Sequence, residues 1–395
     1  MKIVLLTKRT VRHGFGGVEA YVHDFARAAV ALGHEAVVLA SSLPTSAERV
    51  GGDADQTEYL AGTEPGVYSA SFWRQSVLAV RRHAPYDLLY STNLAGYGAA
   101  MASVPGPHLA WCTGRTLSHL ASEWHDRVGL RLAGYPKAAL ALGYYAWLER
   151  RLHRRLDGLV AEDVVTHEAL RRSGLPVRLV HTGVDTALFR ADPGGRRQTR
   201  VALRIPPDAD VLVMSATINR QKGIAIGIDA FGRLAAARPR LHLLVLGDGP
   251  ERRHLQRVAR EGPGGARVTF AGAVPEGEVA RYYAAADVLL YPTRRAEGTP
   301  RAILEAMSTG LAVIATDRGG VRTAVRDGDT GILLGRPSTD DVATAVATLL
   351  DDPDRRAAIA ARAAAVAREE FELRASVGAV LDMVGRSKAL ERGRA

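Results

Sequence analysis

The stretch EGTPRAILEAMSTG, residues 297–310, contains the features that best indicate the fold and the candidate site. Glu297 and Glu305 lie eight residues apart across a predicted loop-to-helix junction. Thr299 is expected to accept hydrogen bonds from the first free backbone N–H groups, and Pro300 is expected at the first helical position. Such a helix end would present N–H groups and a partial positive charge to a phosphate.

The two glutamates flank this predicted anion site. Glu297 lies just outside it, and Glu305 lies about one and a half turns into the helix. A ligand with a sugar on one side of a diphosphate and a ribose on the other would contact both carboxylates and the helix end. The pattern therefore indicates a nucleotide-sugar site, although a Thr-Pro helix start and two glutamates at this spacing also occur without any ligand.

Short apolar runs alternate with longer amphipathic stretches along the chain, which predicts an α/β fold with parallel sheets. A helix is predicted at 18–32, where apolar residues recur at helical spacing and the pattern ends at Gly33. The predicted strands cover residues 2–7, 35–40, 87–92, 108–113, 157–161, 177–182, 210–216, 241–247, 267–271, 287–291, 311–316 and 331–334.

The segment RADPGGRRQTR, residues 190–200, has almost no apolar side chains and is rich in Pro, Gly and Arg. This composition predicts a linker between two Rossmann-like, doubly wound domains. We expect an N-terminal acceptor domain at 1–190, a linker at 191–200 and a C-terminal donor domain at 201–371. The basic segment 372–395 is predicted as a helix that can cross back to the first domain. The expected ligand site is the cleft between the domains.

Composition is that of a soluble globular protein, with 47% hydrophobic and 24% charged residues among 395. We expect no transmembrane helix, because no apolar run is long enough, and no secretory signal at MKIVLLTKRT. The single cysteine, Cys112, excludes an internal disulfide and a cysteine-rich metal cluster. A cytoplasmic setting is therefore expected. No H-x-x-H or carboxylate–histidine spacing indicates a metal site.

The net charge of +10 is compatible with nucleic acid, anionic lipid or a phosphorylated small substrate. The arginines are scattered, as a high-GC genome alone would produce, so we expect no nucleic-acid partner. The stretch KAALALGYYAWLERRLHRRL, residues 137–156, is amphipathic and basic at its end, as interfacial helices are. Peripheral contact with the inner membrane face is one interpretation, and packing of its apolar half inside the first domain is the other.

Two loops carry groups suited to phosphates. Gly16 and Gly17 precede the first predicted helix, where a glycine-rich turn lets a phosphate approach backbone N–H groups. A plain flexible turn is the alternative. Lys222 and Gly223 follow the first strand of the second domain, and a lysine there suits a diphosphate. A solvated loop lysine is the alternative in that case.

Taken together, these segments resemble the retaining glycosyltransferases of family 4, which have the GT-B fold of two Rossmann-like domains facing across a cleft. The resemblance covers nearly the whole chain. Besides 297–310, it is carried by GGVE at 16–19, ALGHEAVVL at 31–39, TGVDTALF at 182–189, LGDGPER at 246–252 and YYAAADVLLYPT at 282–293.

The resemblance implies roles for matching positions. Glu297 is similar to the glutamate that contacts donor sugar hydroxyls, Glu305 to the one that holds the ribose, and Lys222 to the diphosphate lysine. Gly16 and Gly17 match the loop that faces the donor phosphates. Other donor-side positions that it implies are Gly298, Thr299, Pro300 and Arg301 at the helix start, with Ala273 and Val274 where the backbone usually meets the base.

Three positions depart from the family pattern. Ala216 and Thr217 replace a Gly-Arg pair, so the second diphosphate cation is missing there, and Arg220 or Arg301 would have to substitute. The step Thr113-Gly114-Arg115 replaces one that usually contains a histidine near the reacting centre, which leaves Thr113, Arg115 and His119 as acceptor candidates. His181-Thr182 replaces the usual Pro-Asn.

The resemblance implies transfer of a sugar from a UDP- or GDP-linked donor to an acceptor hydroxyl, with retained anomeric configuration. No metal, cofactor or enzymatic nucleophile is implied. Two alternatives stay open: a catalytically impaired nucleotide-sugar-binding module or partner subunit, and a sugar-nucleotide epimerase. The sequence leaves open whether the acceptor is a small molecule, a glycan or a lipid, which nucleotide and sugar are used, and the oligomeric state.

Overall fold

The computed structural model describes residues 1–13, 16–44, 56–113 and 135–392. The chain folds into two compact units, which are called unit 1 and unit 2 below. Unit 1 contains Met1–Gly183 together with Leu373–Ala395, and unit 2 contains Val184–Glu372.

Among its described residues, unit 1 forms a parallel sheet of seven strands in the order β3-β2-β1-β4-β5-β6-β7. The strands are β1 Lys2–Leu6, β2 Glu35–Ser41, β3 Thr57–Leu60, β4 Leu88–Thr92, β5 His108–Cys112, β6 Gly158–Ala161 and β7 Val177–Leu179. The helices are α1 Gly17–Ala31, α2 Ala70–Arg82, α3 Tyr97–Met101, α4 Tyr135–His153, α5 Val164–Arg172 and, after unit 2, α14 Leu373–Arg392.

Helices cover both faces of this sheet because its strands are apolar on both sides. Ile3 and Leu5 of β1 pack in one cluster with residues of α1 and α14, including Phe25 and Val380. Val4 and its neighbours on the other side pack with residues of α2. The helix α14, far away in sequence, therefore completes the core of unit 1.

Unit 2 repeats the architecture with a six-stranded parallel sheet in the order β10-β9-β8-β11-β12-β13. The strands are β8 Asp210–Ser215, β9 Leu241–Leu246, β10 Val268–Gly272, β11 Val288–Tyr291, β12 Ala312–Thr316 and β13 Ile332–Leu334. The helices are α6 Pro193–Ala202, α7 Ile224–Ala235, α8 Arg252–Glu261, α9 Glu276–Ala285, α10 Arg301–Thr309, α11 Val321–Ala324, α12 Thr339–Asp351 and α13 Pro353–Glu370.

The predicted fold class of two Rossmann-like, doubly wound domains is confirmed. All twelve predicted strands are present, and the largest error is at 177–182, where β7 ends at Leu179. The helix predicted at 18–32 is α1, and Gly33 after it has a φ of +83°, which a C-terminal stop requires. The strand β3 was not predicted.

The linker predicted at 191–200 is wrong, because α6 occupies most of it and belongs to unit 2. The Asp192 carboxylate caps α6 by accepting the Gly195 N–H at 2.9 Å. Arg196 and Arg200 anchor the helix by ion pairs to Asp287, at 2.6 and 3.0 Å. The boundary between the units lies between Gly183 and Val184, not near 190.

Candidate active site

The candidate site of unit 2 lies at the carboxyl ends of two neighbouring strands, β8 and β11. The chain leaves β8 and makes a 3-10 turn at Arg220–Lys222 before α7. It leaves β11 through a loop that contains Glu297 and leads into α10. Because parallel strands end at the same edge of the sheet, these two loops meet, and Lys222 contacts Glu297 across 75 residues of sequence.

Three side chains hold the Glu297 carboxylate. Lys222 Nζ lies 2.5 Å from Oε2, the same oxygen that accepts the Tyr291 hydroxyl at 3.0 Å. The Thr293 hydroxyl donates to Oε1 at 3.1 Å. The side chains of Lys222 and Glu297 are only 18% and 16% exposed, so this charge-assisted contact is shielded from water.

Electrostatics keep Glu297 ionised. Burial by itself would raise the pKa of this carboxyl, but the charge and hydrogen bond of Lys222 hold the pKa below its ordinary value. Burial, and then the Glu297 charge, raises the pKa of Tyr291 far above its usual range. The carboxylate is therefore an anion, and Tyr291 remains a proton-bearing donor, near neutral pH.

A Gly-Gly turn fixes the backbone of Glu297. The Gly320 N–H donates to the Glu297 carbonyl oxygen at 2.7 Å. Gly319 has a φ of +57°, and a Cβ there would overlap that same carbonyl. Glycine is required at 319 for both reasons, its backbone conformation and the close approach.

The Lys222 turn is built in a similar way. The Asn219 side chain caps it by accepting the N–H groups of Gln221 and Lys222, each at 3.1 Å. Gly223 has a φ of +70° and lies so close to the Pro292 carbonyl that a Cβ would overlap it. The turn is thus locked against the segment that follows β11.

The helix α10 begins at Arg301, with Pro300 as its N-cap residue in an extended conformation. The prediction that Thr299 caps the helix and Pro300 occupies its first position is therefore wrong. The chain enters the helix only after Pro300, whose carbonyl accepts the Ile303 N–H at 3.0 Å and whose ring offers no side-chain acceptor. Glu305 pairs with Arg301 one turn earlier, at 3.4 Å.

The two arginines considered as substitute diphosphate cations pair with acids. Arg220 is 84% exposed and pairs with Glu251 at 3.2 Å, whereas Arg301 pairs with Glu305 and is only 12% exposed. Thr217 is exposed beside the Lys222 turn. The remaining predicted donor-side positions in unit 2 are Ala273, exposed, and Val274, half-buried, both just after β10, and Gly298, buried between Glu297 and α10.

In unit 1, Gly16 is the N-cap residue of α1 in an extended conformation and Gly17 is the first helical residue. Thr113 is buried just after β5, where its hydroxyl accepts Asn93 Nδ2 at 3.3 Å and its N–H donates to Asn93 Oδ1 at 3.2 Å. The acceptor candidates Arg115 and His119 lie outside the described residues.

Sequence reasoning missed some polar groups at these sheet edges. Glu162 follows β6, is buried, and accepts the Thr182 hydroxyl at 2.8 Å. Tyr291, the last residue of β11, was assigned no role. Glu162 carried one signal, since a carboxylate directly after an apolar strand lies at the ligand edge of a parallel sheet. Tyr291 carried none, because an aromatic residue in a strand is usually part of the core.

Within the part of the chain that the structure describes, no group of three or more His, Cys, Asp or Glu side chains is arranged to hold a metal ion. In the same residues, every helix is too short or too polar to cross a bilayer.

Comparison with known proteins gives matches for both parts of the chain. Residues 195–366 match the family model described as glycosyl transferases group 1, and residues 15–188 match the model described as glycosyltransferase family 4. The two matched ranges together span most of the chain.

Curated relatives include D-inositol 3-phosphate glycosyltransferase 2 of Catenulispora acidiphila, 35% identical over 245 residues, which are 58% of this chain and 56% of the relative. A GDP-mannose-dependent alpha-(1-6)-phosphatidylinositol monomannoside mannosyltransferase of Mycobacterium tuberculosis is 34% identical over 185 residues, 45% of this chain and 48% of the relative. The matches thus span about half the length of these relatives.

Solved structures share the fold over nearly the full chain. Sucrose-phosphate synthase from Thermosynechococcus elongatus superposes with a TM-score of 0.81 at 20% identity, covering 99% of this chain and 100% of that one. Anabaena Alr3699/HepE in complex with UDP-glucose gives a TM-score of 0.77 at 21% identity, covering 98% and 100%. At such identities the likeness shows the fold alone.

Proposed function

We propose that this chain, which belongs to the glycosyltransferases that join a family 4 domain to a group 1 domain, transfers a glycosyl group from a nucleoside diphosphate sugar to an acceptor hydroxyl with retained anomeric configuration. The observation that carries the proposal is the Lys222–Glu297 pair, shielded from water at the ligand edge of the unit 2 sheet. Lys222 supplies a cation for a diphosphate, and Glu297, in direct contact with it, supplies an anion for sugar hydroxyls.

In the proposed complex Glu297 accepts hydrogen bonds from donor sugar hydroxyls. Its lowered pKa keeps both oxygens as acceptors, and Tyr291 and Thr293 fix their direction. Glu305, held by Arg301, accepts hydrogen bonds from the ribose hydroxyls. The two carboxylates thus contact opposite ends of one donor.

The reaction breaks the bond between the anomeric carbon and the diphosphate oxygen, which leaves with the electron pair. Lys222 and the N–H groups at the start of α10 stabilise this developing charge. The acceptor oxygen forms the new bond on the same face, and its proton passes to the departing phosphate. No protein nucleophile, metal or cofactor is part of this proposal.

Backbone groups after β10, at Ala273 and Val274, are the proposed contacts of the nucleobase. The names of the relatives point to GDP-mannose and that of one fold neighbour to UDP-glucose, so UDP and GDP donors are both candidates. Two relatives are named for inositol-containing acceptors, which makes inositol phosphates the first acceptors to test. A cytoplasmic setting, where such donors are made, is part of the proposal.

The test begins with a thermal-shift screen of UDP-, GDP- and dTDP-sugars, since a bound donor raises the melting temperature. Transfer from the stabilising donor to inositol phosphates is then measured for the wild type, Lys222→Met and Glu297→Gln. Glu261→Gln, an exposed site on α8 of the same unit, is the matched control. Both site variants should lose transfer and the control should keep it.

Unchanged transfer in both site variants would overturn the assignment. Donor binding without transfer or hydrolysis over a broad acceptor panel would instead identify a binding module. Isomerisation of the donor without any acceptor would identify an epimerase.

A further inference from the structure

An apolar stripe on α4 of unit 1 faces solvent. Leu140, Tyr144 and Trp147 are 74%, 52% and 49% exposed. Their spacing of four and three residues places them on one side of the helix. Tyr144 and Trp147 stack with their ring centroids 6.1 Å apart, so the stripe is continuous.

The opposite side of α4 is the one that packs in the core. Leu148 and Leu152 are buried, and they cluster with Cys112 and Leu159 of the neighbouring strands. Packing inside unit 1 therefore accounts for one apolar side of this helix and not for the stripe. The helix is held in place by its buried side and can present the stripe without refolding.

Positive charge continues the stripe toward the C-terminal end of α4. Four exposed arginines follow or border it: Arg150, Arg151, Arg154 and Arg155. The Arg151 guanidinium lies 4.7 Å above the Trp147 ring, a cation–π contact that joins the apolar and basic parts. Glu149, the acidic residue of this stretch, is half-buried rather than exposed among them.

We propose that the α4 stripe, Leu140, Tyr144 and Trp147 with the four arginines, binds an anionic lipid surface. Leucine and the two aromatic rings enter the region between headgroups and acyl chains, and the arginines contact lipid phosphates while their stems cover apolar surface. Arg150 and Arg151 lie in the last turn of α4 and Arg154 and Arg155 directly follow it, so the basic part extends the apolar stripe along the helix direction and α4 lies flat in the interface. Neither apolar contact nor charge alone gives stable binding, and this surface supplies both.

The test is co-sedimentation of the full chain with vesicles of phosphatidylcholine, alone or with about 30 mol % phosphatidylglycerol, a content that gives a negative surface. The wild type should sediment with anionic vesicles and much less with neutral ones. Changing the four arginines to Gln should weaken binding by about fivefold per arginine removed. Leu140→Ser, Tyr144→Ser and Trp147→Ser together should abolish it.

Matched control variants replace three exposed apolar side chains and four exposed arginines that lie outside the α4 stripe. Val67, Leu78 and Val201 are exposed apolar residues outside α4, and their Ser variants should bind as the wild type does. Gln variants of four exposed arginines form the charge control: Arg171, Arg172, Arg253 and Arg260. Circular dichroism melting and the donor thermal shift check that every variant is folded.

Three results would overturn the proposal. The first is absence of wild-type binding to anionic vesicles, and the second is unchanged binding by the stripe variants. The third is a wild-type dimer, seen by light scattering, that dissociates in the triple Ser variant without any vesicle binding, which would assign the stripe to a second copy. None of these outcomes depends on whether the chain transfers a sugar.

Discussion

Units 1 and 2 share a strand order and differ in the chemistry at their ligand edges. In both sheets the first strand lies between the second and the fourth, so equivalent strand ends meet at equivalent edges. The edge of unit 2 contains the ion pair of Lys222 and Glu297. At the edge of unit 1, Thr113 and Asn93 exchange neutral hydrogen bonds.

The contrast extends to the buried titratable groups. Burial lowers the pKa of His108 to about 3 and that of His153 to about 4, so these two buried histidines of unit 1 are neutral in the fold. In unit 2 the buried Arg200 remains charged and pairs with Asp287. One backbone plan thus places an ion pair after β8 and β11 in unit 2 and a pair of neutral side chains after β4 and β5, the equivalent neighbouring region of unit 1, because function depends on the side chains placed on a fold.

The largest effect should come from the charged edge. Lys222→Met should lower kcat/KM for transfer by about 100- to 1,000-fold, because it removes charge stabilisation of the departing diphosphate. Thr113→Val at the neutral edge should lower it by about tenfold or less, since it removes hydrogen bonds between neutral groups. Equal losses of kcat/KM in the two variants would show that the charged edge of unit 2 contributes no more to transfer than the neutral pair in unit 1.

Glycine substitutions test how rigidly the unit 2 site is built. Gly319→Ala places a methyl group against the Glu297 carbonyl at a positive φ, and should cost more than about 2 kcal/mol. Gly310→Ala has a similar φ with open space around it, and should cost about 1 kcal/mol. Urea unfolding followed by circular dichroism measures both, and a cost for Gly310→Ala as large as that for Gly319→Ala would rule out the clash.

Acid should destabilise unit 1 through its neutral histidines. Because the folded pKa of His108 is about 3 and the unfolded value about 6.5, the unfolded chain binds the proton first, and stability falls as pH drops below 6.5. At pH 5 each such histidine costs roughly 2 kcal/mol. All four tryptophans lie in unit 1, so tryptophan fluorescence in urea at pH 7 and pH 5 follows that unit.

The variant His108→Gln should flatten this pH dependence, because glutamine does not titrate. His254→Gln, on an exposed position of α8 in unit 2, should leave it unchanged. An equally steep loss of stability in His108→Gln would show that this histidine does not cause it.

The smallest effect concerns one hydroxyl. Tyr291→Phe removes the hydrogen bond to Glu297 and keeps the ring, so kcat/KM should fall about fivefold, which corresponds to about 1 kcal/mol. Tyr86→Phe in unit 1 removes a hydroxyl that donates to the Pro105 carbonyl and should leave transfer unchanged. A similar loss in both would show that the effect is not specific to the site.

The sequence predicted most of the sheet framework because apolar runs of buried parallel strands are a strong local signal. The strand β3 is different: Thr57–Leu60 is four residues long, at the sheet edge, with only Leu60 buried. The helix α6 was missed because its two glycines disfavour a helix and its few apolar residues give no helical pattern. Its stability comes from Asp287, about 90 residues away, which no local pattern reveals.

The site was only partly predictable because its contacts also join residues that are far apart in sequence. Glu297, Glu305 and Lys222 were identified from motifs, and the Lys222–Glu297 contact requires the neighbouring strands β8 and β11. The start of α10 was misplaced because Thr-Pro is a common helix beginning, whereas Pro300 here is still extended. The Glu162 carboxylate belongs to no motif, and its position directly after β6 was a signal that the sequence analysis did not use.

The sequence of unit 2 is inserted into that of unit 1, which has a consequence for synthesis on the ribosome. The sheet of unit 1 is translated first, yet the side of it that packs against Phe25 of α1 is fully covered only when Val380 and Leu381 of α14 emerge. Every residue of unit 2 leaves the exit tunnel before that happens. The nascent chain therefore completes unit 2 before unit 1. Until α14 emerges, unit 1 exposes apolar surface that a chaperone could bind.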